Sequence, residues 1–172
     1  MPSSEALIRA ASANDAEALG RLGTLLVEQH YAFDPRRFLA PTPETAEGYG
    51  SFLASQVNVT DAVVMVAEVE GRAVGYAYGT IEGHDWPSLR GPAAVLHDLL
   101  VDPAERNRAV GQALLDAMMD AFAARDAPRV VLVTAEGNVA AQRFFERASF
   151  RRTMVEMTRE LKASKFMIQA RP

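Results

Sequence analysis

The sequence of 172 residues contains no cysteine, one tryptophan and three histidines. Without cysteine there is no disulfide scaffold, no thiolate metal site and no cysteine nucleophile, so a covalent enzyme intermediate is not expected. The three histidines are scattered along the chain without metal-ligand spacing, and no metal is expected either. No apolar run approaches the roughly 20 residues that a helix needs to cross a bilayer, so no membrane partner is expected.

Basic charge is also scarce, because 18 lysines and arginines face 22 aspartates and glutamates. The resulting net charge of −4 argues against nucleic acid as a general partner, since such partners normally require a basic face. The first residues lack the basic and apolar parts of a signal peptide, so we expect a cytoplasmic protein. The composition is that of a single globular domain over residues 1–172, compatible with a monomer or a homodimer.

Residues 99–111 form the most informative segment, with the sequence LLVDPAERNRAVG. An apolar strand ends at a proline, passes through a basic turn and leads into a helix. The first turn of a helix has backbone amides without intrahelical partners and a partial positive charge, to which Arg106 and Arg108 add full charges. The segment therefore predicts a phosphate site, unless the turn is basic by chance. It matches neither a Walker loop nor the dinucleotide-binding fingerprint.

A second segment, residues 138–150, follows the apolar strand 129–134. The spacing shared by the two segments is carried by Val101, Pro103, Arg106, Ala109 and Gly111, then by Asn138, Ala141, Phe145, Arg147 and Phe150. Together they resemble the GCN5-related N-acetyltransferase (GNAT) superfamily, whose members transfer an acyl group from coenzyme A to an amine. The resemblance covers residues 62–160 with the motifs in order.

The resemblance implies acetyl-CoA as the co-substrate and assigns its contacts. Pantetheine lies between the strand that precedes the turn and strand 129–134, and the diphosphate meets the turn. The cofactor-binding residues are then Leu99, Leu100, Val101, Arg106, Asn107, Arg108, Ala109, Val110, Gly111, Gln112 and Asn138. Asn138 is equally suited to a second role, as the N-cap of the following helix.

Two residues depart from the family pattern. Ala109 stands where glycine is usual, which adds a methyl group beside the diphosphate and strains the turn if φ is positive there. Phe145 stands where many members carry a tyrosine that protonates the leaving thiolate, and phenylalanine has no hydroxyl group. From Ala109 we expect weaker or slightly displaced cofactor binding, and not its loss. With Phe145, either the thiolate leaves with help from water or another group, or catalysis is slow, or the chain binds an acyl-coenzyme A without turning it over.

Amine acylation by a thioester requires a neutral amine, so some group must remove the proton of the ammonium form. His97 is the first candidate, because histidine is the side chain that ordinarily titrates near neutral pH. Asp98 is the second candidate. Strand alternation predicts that the two side chains point to opposite faces, so only one of them enters the site.

Two irregular segments carry the candidate acceptor-binding residues. They combine aromatic rings with carboxylates, which suits a cation that has an apolar part. The residues are Tyr31, Glu82, Asp85 and Trp86. The competing interpretation is that these side chains only face water.

Periodicity predicts an α+β fold with a mixed, largely antiparallel central sheet flanked by helices, in the order β-α-α-β-β-β-α-β-α-β. The predicted strands are 6–10, 63–68, 73–81, 93–101, 129–134 and 150–161. Helices are predicted from Asn14 or Asp15, over 44–57, from the basic turn to about Arg125, and over 139–148. A hairpin turn is predicted at residues 70–72.

The function implied is an N-acetyltransferase that moves an acetyl group from acetyl-CoA to a primary amine of a small molecule or a peptide, by direct attack in a ternary complex. Two alternatives remain open at this point. One is a non-catalytic acyl-CoA-binding or sensor domain, which Phe145 and Ala109 favour. The other is a protein acetyltransferase acting on N-termini or lysines.

Overall fold

The structure is a computed structural model that describes residues 6–105 and 109–161. Its strands and helices are β1 (Leu7–Ala10), α1 (Ala16–Phe33), α2 (Thr45–Gln56), β2 (Ala62–Val69), β3 (Arg72–Glu82), β4 (Ala93–Val101), α3 (Val110–Ala123), β5 (Val130–Leu132) and α4 (Val139–Arg147). None of the described helices is long and apolar enough to span a membrane.

The sheet confirms the predicted fold class. Its strand order is β1-β2-β3-β4-β5; β1 to β4 form successive antiparallel pairs, and β5 pairs with β4 in parallel. The hairpin between β2 and β3 turns at Glu70 and Gly71, whose φ angles are 51° and 78°. Two consecutive left-handed residues give a turn whose twist matches that of the paired strands.

Helix α3 packs on one face of the sheet through the apolar stripe that the sequence predicts. Its residues Val110, Leu114, Met118 and Phe122 are each at most 2% exposed. The sheet is shaped to receive it, because a Cβ atom at Gly79 would lie 2.6 Å from the Phe122 ring. A small residue at this position therefore lets α3 approach β3 closely.

Helices α1 and α2 pack against each other through glycines. A Cβ atom at Gly20 would overlap the backbone of Ala46, and one at Gly50 would overlap the backbone of Ala16. A Cβ atom at Gly23 would overlap the ring of Tyr49. The close approach of the two helices holds the Tyr49 ring against α1, with its hydroxyl on Asp98 of β4.

The start of α1 differs from the prediction. Asp15 precedes the helix but makes no capping hydrogen bond to it. Ser12 instead caps a 3₁₀ turn over Ala13–Asp15, in a capping box with Asp15. The carboxylate of Asp15 is engaged with Arg9 at 2.8 Å, and this contact is the main cause that lowers the pKa of Asp15 to about 2.

The chain divides into two units at Gly137 and Asn138. The second unit contains α4, followed by residues 151–161, which are exposed and form neither helix nor strand. The predicted strand over 150–161 is therefore wrong for these residues. Alternating apolar residues suit a strand, but a strand exists only within a hydrogen-bonded ladder, and residues 151–161 join none. The expectation of one domain over the whole chain stays a prediction.

Candidate active site

Strands β4 and β5 separate where the cofactor is predicted to lie. They pair only over Ala94–Leu96 and Val130–Leu132, whereas β4 continues to Val101. Within the described residues, 97–101 have no strand beside them on the β5 side. The early end of this pairing is compatible with a ligand beside β4, and the binding of pantetheine amides by Leu99, Leu100 and Val101 stays a prediction.

A β-bulge marks the point of separation. On β3, Tyr78 lies opposite Asp98 and Gly79 lies opposite Leu96, so His97 is an extra residue on β4. The prediction that His97 and Asp98 point to opposite faces is wrong, because a bulge interrupts the alternation of side chains. Both residues contact β3 side chains on the α2 face of the sheet. The bulge thus brings both candidate catalytic residues into one region.

His97 belongs to a hydrogen-bonded network that continues to the next loop. Its side chain is 37% exposed, and its ring stacks on Tyr78 with centroids 5.1 Å apart. Nε2 lies 2.8 Å from Thr80 Oγ1, and the Thr80 hydroxyl donates to Glu82 Oε1 at 2.9 Å. The second Glu82 oxygen accepts from Arg90 at 2.6 Å. Of the predicted acceptor residues, Glu82 is therefore in the same network as His97.

Asp98 is partly buried and held by two tyrosines. Its Oδ2 accepts from the Tyr49 hydroxyl at 2.6 Å and from the Tyr76 hydroxyl at 3.1 Å. Burial raises the pKa of Asp98, and the two tyrosine hydroxyls and His97 oppose this shift. Burial, followed by the nearby Asp98 charge, raises the pKa of Tyr49 and Tyr76, so both remain protonated donors.

The loop between β3 and β4 carries Asp85 and Trp86. Asp85 pairs with Arg90 through the backbone, and its carboxylate accepts from the Ser88 hydroxyl at 2.6 Å, which lowers the pKa of Asp85. Trp86 is 79% exposed, stacks on His84 and lines a shallow depression of about 150 Å³. Asp85 joins the network through Arg90, whose guanidinium lies 3.9 Å from its carboxylate.

Tyr31 stands apart from the other predicted acceptor residues. It lies in the last turn of α1 with 37% exposure. In the described part of the chain it makes neither a hydrogen bond nor a ring contact with the His97 network. The structure brings together Glu82, His97 and Asp98 directly, Asp85 more remotely, and Tyr31 not at all.

The predicted phosphate turn is described only in part, since Arg106, Asn107 and Arg108 lie outside the described residues. Ala109 has φ 58° and immediately precedes α3, whose N-terminus has no side-chain cap. Among the described residues, the amides of Val110, Gly111 and Gln112 have no intrahelical acceptor and no capping side chain, and their i−4 positions 106–108 lie outside the described part of the chain. This arrangement suits an anion. The positive φ also confirms the strain expected for alanine at position 109.

The two acidic residues before the turn are neutralised by arginines from other elements. Asp102 pairs with Arg21 of α1 at 3.2 Å, and Glu105 pairs with Arg72 of β3 at 2.7 Å. A backbone amide at Ala104 and the charge of Arg21 lower the pKa of Asp102. The carboxylates at this end of β4 therefore add little negative potential beside the anion site.

In the second unit, Asn138 is the N-cap of α4, and its side chain accepts from the Ala141 amide at 3.1 Å. This is one of its two predicted roles; its contact with pantetheine stays a prediction. Phe145 packs edge-on against Phe144 and Phe150, with centroids 5.1 and 5.6 Å away. Its place in an acyl channel likewise stays a prediction.

Several residues of this region are not marked by any of the sequence motifs. They are Tyr49, Phe52, Tyr76, Tyr78, Thr80 and Arg90. A signal was available on β3, where hydroxyl-bearing residues at 76, 78 and 80 alternate with small ones at 75, 77 and 79. Alternation of this kind places the hydroxyl groups on one face.

Comparison with known proteins also indicates an acetyltransferase. A family model described as "Acetyltransferase (GNAT) family" matches residues 22–150. A mycothiol acetyltransferase of Clavibacter michiganensis subsp. michiganensis (strain NCPPB 382) is 36% identical over 81 residues. That match spans 47% of this chain and 26% of the relative, so the chain covers only a minor part of that protein.

Solved structures share the fold. A mutant of the protein BH1408 from Bacillus halodurans superimposes with a TM-score of 0.80 at 21% identity, covering 91% of this chain and 99% of that one. An aminoglycoside N-acetyltransferase in complex with CoA gives a TM-score of 0.70 at 18% identity, covering 95% and 99%. At these identities the likeness concerns the fold alone.

Proposed function

The chain belongs to the acetyltransferase (GNAT) family, and from that premise we propose that it transfers an acetyl group from acetyl-CoA to a primary amine of a small molecule or peptide. The amine attacks directly in a ternary complex. The observation that carries this proposal is the bulge of β4, which places His97 beside the unpaired end of the strand and in contact with Thr80.

The described residues fit acetyl-CoA at two places. The first turn of α3, at Val110, Gly111 and Gln112, suits the diphosphate. The proposed site also includes Ala109 and the residues that precede it in the sequence, Arg106, Asn107 and Arg108. Leu99, Leu100 and Val101 offer backbone groups on the open side of β4 to the pantetheine amides. When bound, acetyl-CoA supplies the thioester carbonyl that a neutral amine attacks.

His97 is the proposed acceptor of the amine's proton. The Glu82 carboxylate, paired with Arg90, only accepts, so Thr80 donates its single hydrogen to Glu82. Thr80 then accepts from Nε2–H of His97. In neutral His97 this leaves Nδ1 as the basic nitrogen, with a tautomer fixed by its neighbour. Asp98, one residue further on the bulge, is the second candidate.

The phenylalanine at position 145 bears on whether the protein catalyses acetyl transfer or only binds acetyl-CoA. Because it lacks a hydroxyl, the leaving thiolate must take its proton from water or another group. A Phe145→Tyr variant with unchanged cofactor affinity is expected to turn over faster, by about 10²- to 10⁴-fold if protonation is rate-limiting. A variant slower than the parent would show that Phe145 is a packing residue. The strained Ala109 and the missing hydroxyl together favour one second candidate, a non-catalytic acyl-CoA sensor.

Thiol release from acetyl-CoA distinguishes the two candidates. A panel of primary amines, with peptides that carry a free N-terminus or a lysine, should include at least one acceptor that gives protein-dependent release. A rise in melting temperature with acetyl-CoA reports binding separately, since a ligand of the native state stabilises it. Binding without release from any amine would overturn the transferase proposal and support the sensor.

Gly111→Glu tests the place of the cofactor. A bulky anion in the first turn of α3 should remove the thermal shift caused by acetyl-CoA, by steric exclusion and like charge. Asp120→Asn, at an exposed position later in the same helix, is the matched control and should keep the shift. Unchanged coenzyme A affinity in a folded Gly111→Glu protein would contradict the assignment.

A further inference from the structure

Asp98 presents one fixed oxygen and one open oxygen. Oδ2 accepts both tyrosine hydroxyls, from Tyr49 and Tyr76. Oδ1 has no hydrogen-bond partner in the described part of the chain, and it is not one of the fully buried polar atoms there. The tyrosines hold the carboxylate in place without neutralising its charge, because a phenol donates a hydrogen bond but carries no positive charge. Oδ1 is therefore available to a cationic donor.

Aromatic rings adjoin this carboxylate on the α2 side. Phe52 lies edge-on to Tyr49 at 6.2 Å and to Tyr78 at 5.6 Å, and it is 45% exposed. Tyr78 in turn stacks on His97. A partly exposed phenyl ring that contacts a tyrosine bound to the carboxylate suits a ligand that joins a positive charge to an apolar body.

The other carboxylates of the network are already engaged. Glu82 forms an ion pair with Arg90 at 2.6 Å, and Asp85 accepts from Ser88 with Arg90 3.9 Å away. Asp98 is the carboxylate of this group that has no arginine or lysine within ion-pair distance in the described residues. A ligand with several ammonium groups would bring positive charges that these side chains do not match, at a cost in desolvation.

We propose that Asp98 binds the ammonium group of the acceptor through Oδ1 while Phe52 and Tyr78 contact an apolar body, so that the acceptor is a singly charged amine and not a polycation. This inference rests on the proposed acetyl transfer. The two adjacent residues then have different roles, because Asp98 binds the ammonium group and His97 accepts its proton. Asp98 then makes a binding contact that a neutral ligand of the same shape cannot use.

The test is a chemical-shift titration of the coenzyme A-bound protein with three probes. Cyclohexylmethylamine has one charge and an apolar body, cyclohexylmethanol is its neutral counterpart, and kanamycin is a polycation. We expect the amine to bind about 10- to 100-fold more tightly than the alcohol, the value of a charge-assisted hydrogen bond. Equal affinity for amine and alcohol, or tighter binding of kanamycin, overturns the inference.

Asp98→Asn keeps the side-chain shape and removes the charge. In this variant the preference for the amine over the alcohol should fall to within about twofold, because both ligands then meet a neutral amide. Asp120→Asn on α3, on the opposite face of the sheet, should keep the full preference. An Asp98→Asn protein that retains a tenfold preference overturns the inference.

Phe52→Ala gives a second variant at an exposed position, which keeps the inference testable if Asp98→Asn fails to fold. Removing the ring should weaken cyclohexylmethylamine about fivefold, through lost apolar contact, and leave methylamine unchanged. Equal effects on both amines, or none on either, contradict the proposed apolar contact.

Thiol release distinguishes failure of this inference from failure of the proposed function. Charge-dependent binding without thiol release from acetyl-CoA would support the acceptor site and overturn the transferase activity. Thiol release from several amines at rates that do not depend on the charge at position 98 would support the activity and overturn the acceptor site.

Discussion

The two faces of β3 differ in what they contribute to the protein. Toward α3, Gly75 and Gly79 leave room for buried side chains such as Phe122. Toward α2, Tyr78 and Thr80 contact His97 of the bulge. One strand thus separates a face that packs on α3 from a face that holds the candidate chemistry. Tyr76 and Tyr78 of the second face also belong to a buried apolar cluster with residues of α1 and α2.

The separation has a physical cause. An apolar contact stabilises wherever it is buried, whereas a buried polar group stabilises only when its hydrogen bonds are made. The α3 face therefore depends mainly on filled volume, whereas the α2 face combines apolar burial with specific polar partners. Substitutions on the first face should alter stability, and substitutions of partly exposed residues on the second, such as His97, should alter chemistry at small cost in stability.

Phe122→Ala should give the largest effect on stability. Its ring is 1% exposed, and truncating such a ring costs about 3–5 kcal/mol through lost burial and the cavity left behind. Urea denaturation measures the change. Phe52→Ala, at a ring 45% exposed on the other side, is the control and should cost less than about 1.5 kcal/mol. Equal losses of unfolding free energy in the two variants would contradict the proposed difference between the two faces of β3.

His97→Ala should lower kcat/KM for the acceptor by about 10- to 10³-fold with little change in melting temperature, because the ring is partly exposed. The parent's rate should fall on acidification, since a protonated imidazole cannot accept a proton. His97→Gln keeps a polar side chain beside Thr80 but provides no base. Its rate should therefore no longer show the parent's fall on acidification. A variant that retains both rate and acidic limb would make His97 structural.

Asp98 and Asp15 should show opposite pH dependences. Burial raises the pKa of Asp98, so the native state holds this proton to higher pH than the unfolded chain. Its contribution to stability is therefore lost as the pH rises through the native pKa. Asp98→Asn should gain stability relative to the parent as the pH is raised from 3.5 to 7, measured by urea midpoints.

Asp15, with its pKa lowered to about 2, is the matched opposite case. Its contribution is present above the pKa of the unfolded chain and lost as the pH falls toward 2. Asp15→Asn should be less stable than the parent by about 1–2 kcal/mol at pH 7, with a difference that narrows on acidification. If the stabilities of Asp98→Asn and Asp15→Asn relative to the parent changed in the same direction with pH, the environments assigned to the two carboxylates would be contradicted.

Thr80→Val should lower kcat/KM by about 2- to 10-fold, the value of one hydrogen bond that orients the imidazole. The tautomer of His97 is observable by ¹⁵N NMR, and the parent should carry its proton on Nε2. Thr80→Ser should preserve that state and most of the rate, whereas valine, of similar shape, should not. A proton on Nδ1 in the parent would exclude the proposed role of Thr80.

Ala109→Gly should produce the smallest effect, a gain of about 1 kcal/mol in stability, because glycine adopts the left-handed conformation without strain. Coenzyme A affinity should rise with it, since the backbone gains room beside the diphosphate. Asp126→Gly, also at positive φ but beyond the end of α3, should leave coenzyme A affinity unchanged. Equal stability of Ala109→Gly and the parent would show that the backbone at position 109 is unstrained.

Local patterns predicted the elements that depend on near neighbours in sequence. The stripe Val110, Leu114, Met118 and Phe122 is helical by its spacing alone, and β4 begins and ends at the predicted residues Ala93 and Val101. The same kind of local pattern predicts the turn before α3, because a strand, a proline and a helix follow one another within a dozen residues; residues 106–108 of this turn lie outside the described part of the chain. The family was identifiable from the same two segments.

Only the tertiary structure decided which side chains share the site. The bulge at His97 depends on the register between β3 and β4, and the contact of Tyr49 with Asp98 joins residues 49 positions apart. The interpretation of Asp98 as facing away from His97 failed because alternation holds only for a regular strand. Register and helix packing depend on many contacts between residues that are distant in sequence, whereas helical and strand periodicity depend on residues that are close in sequence.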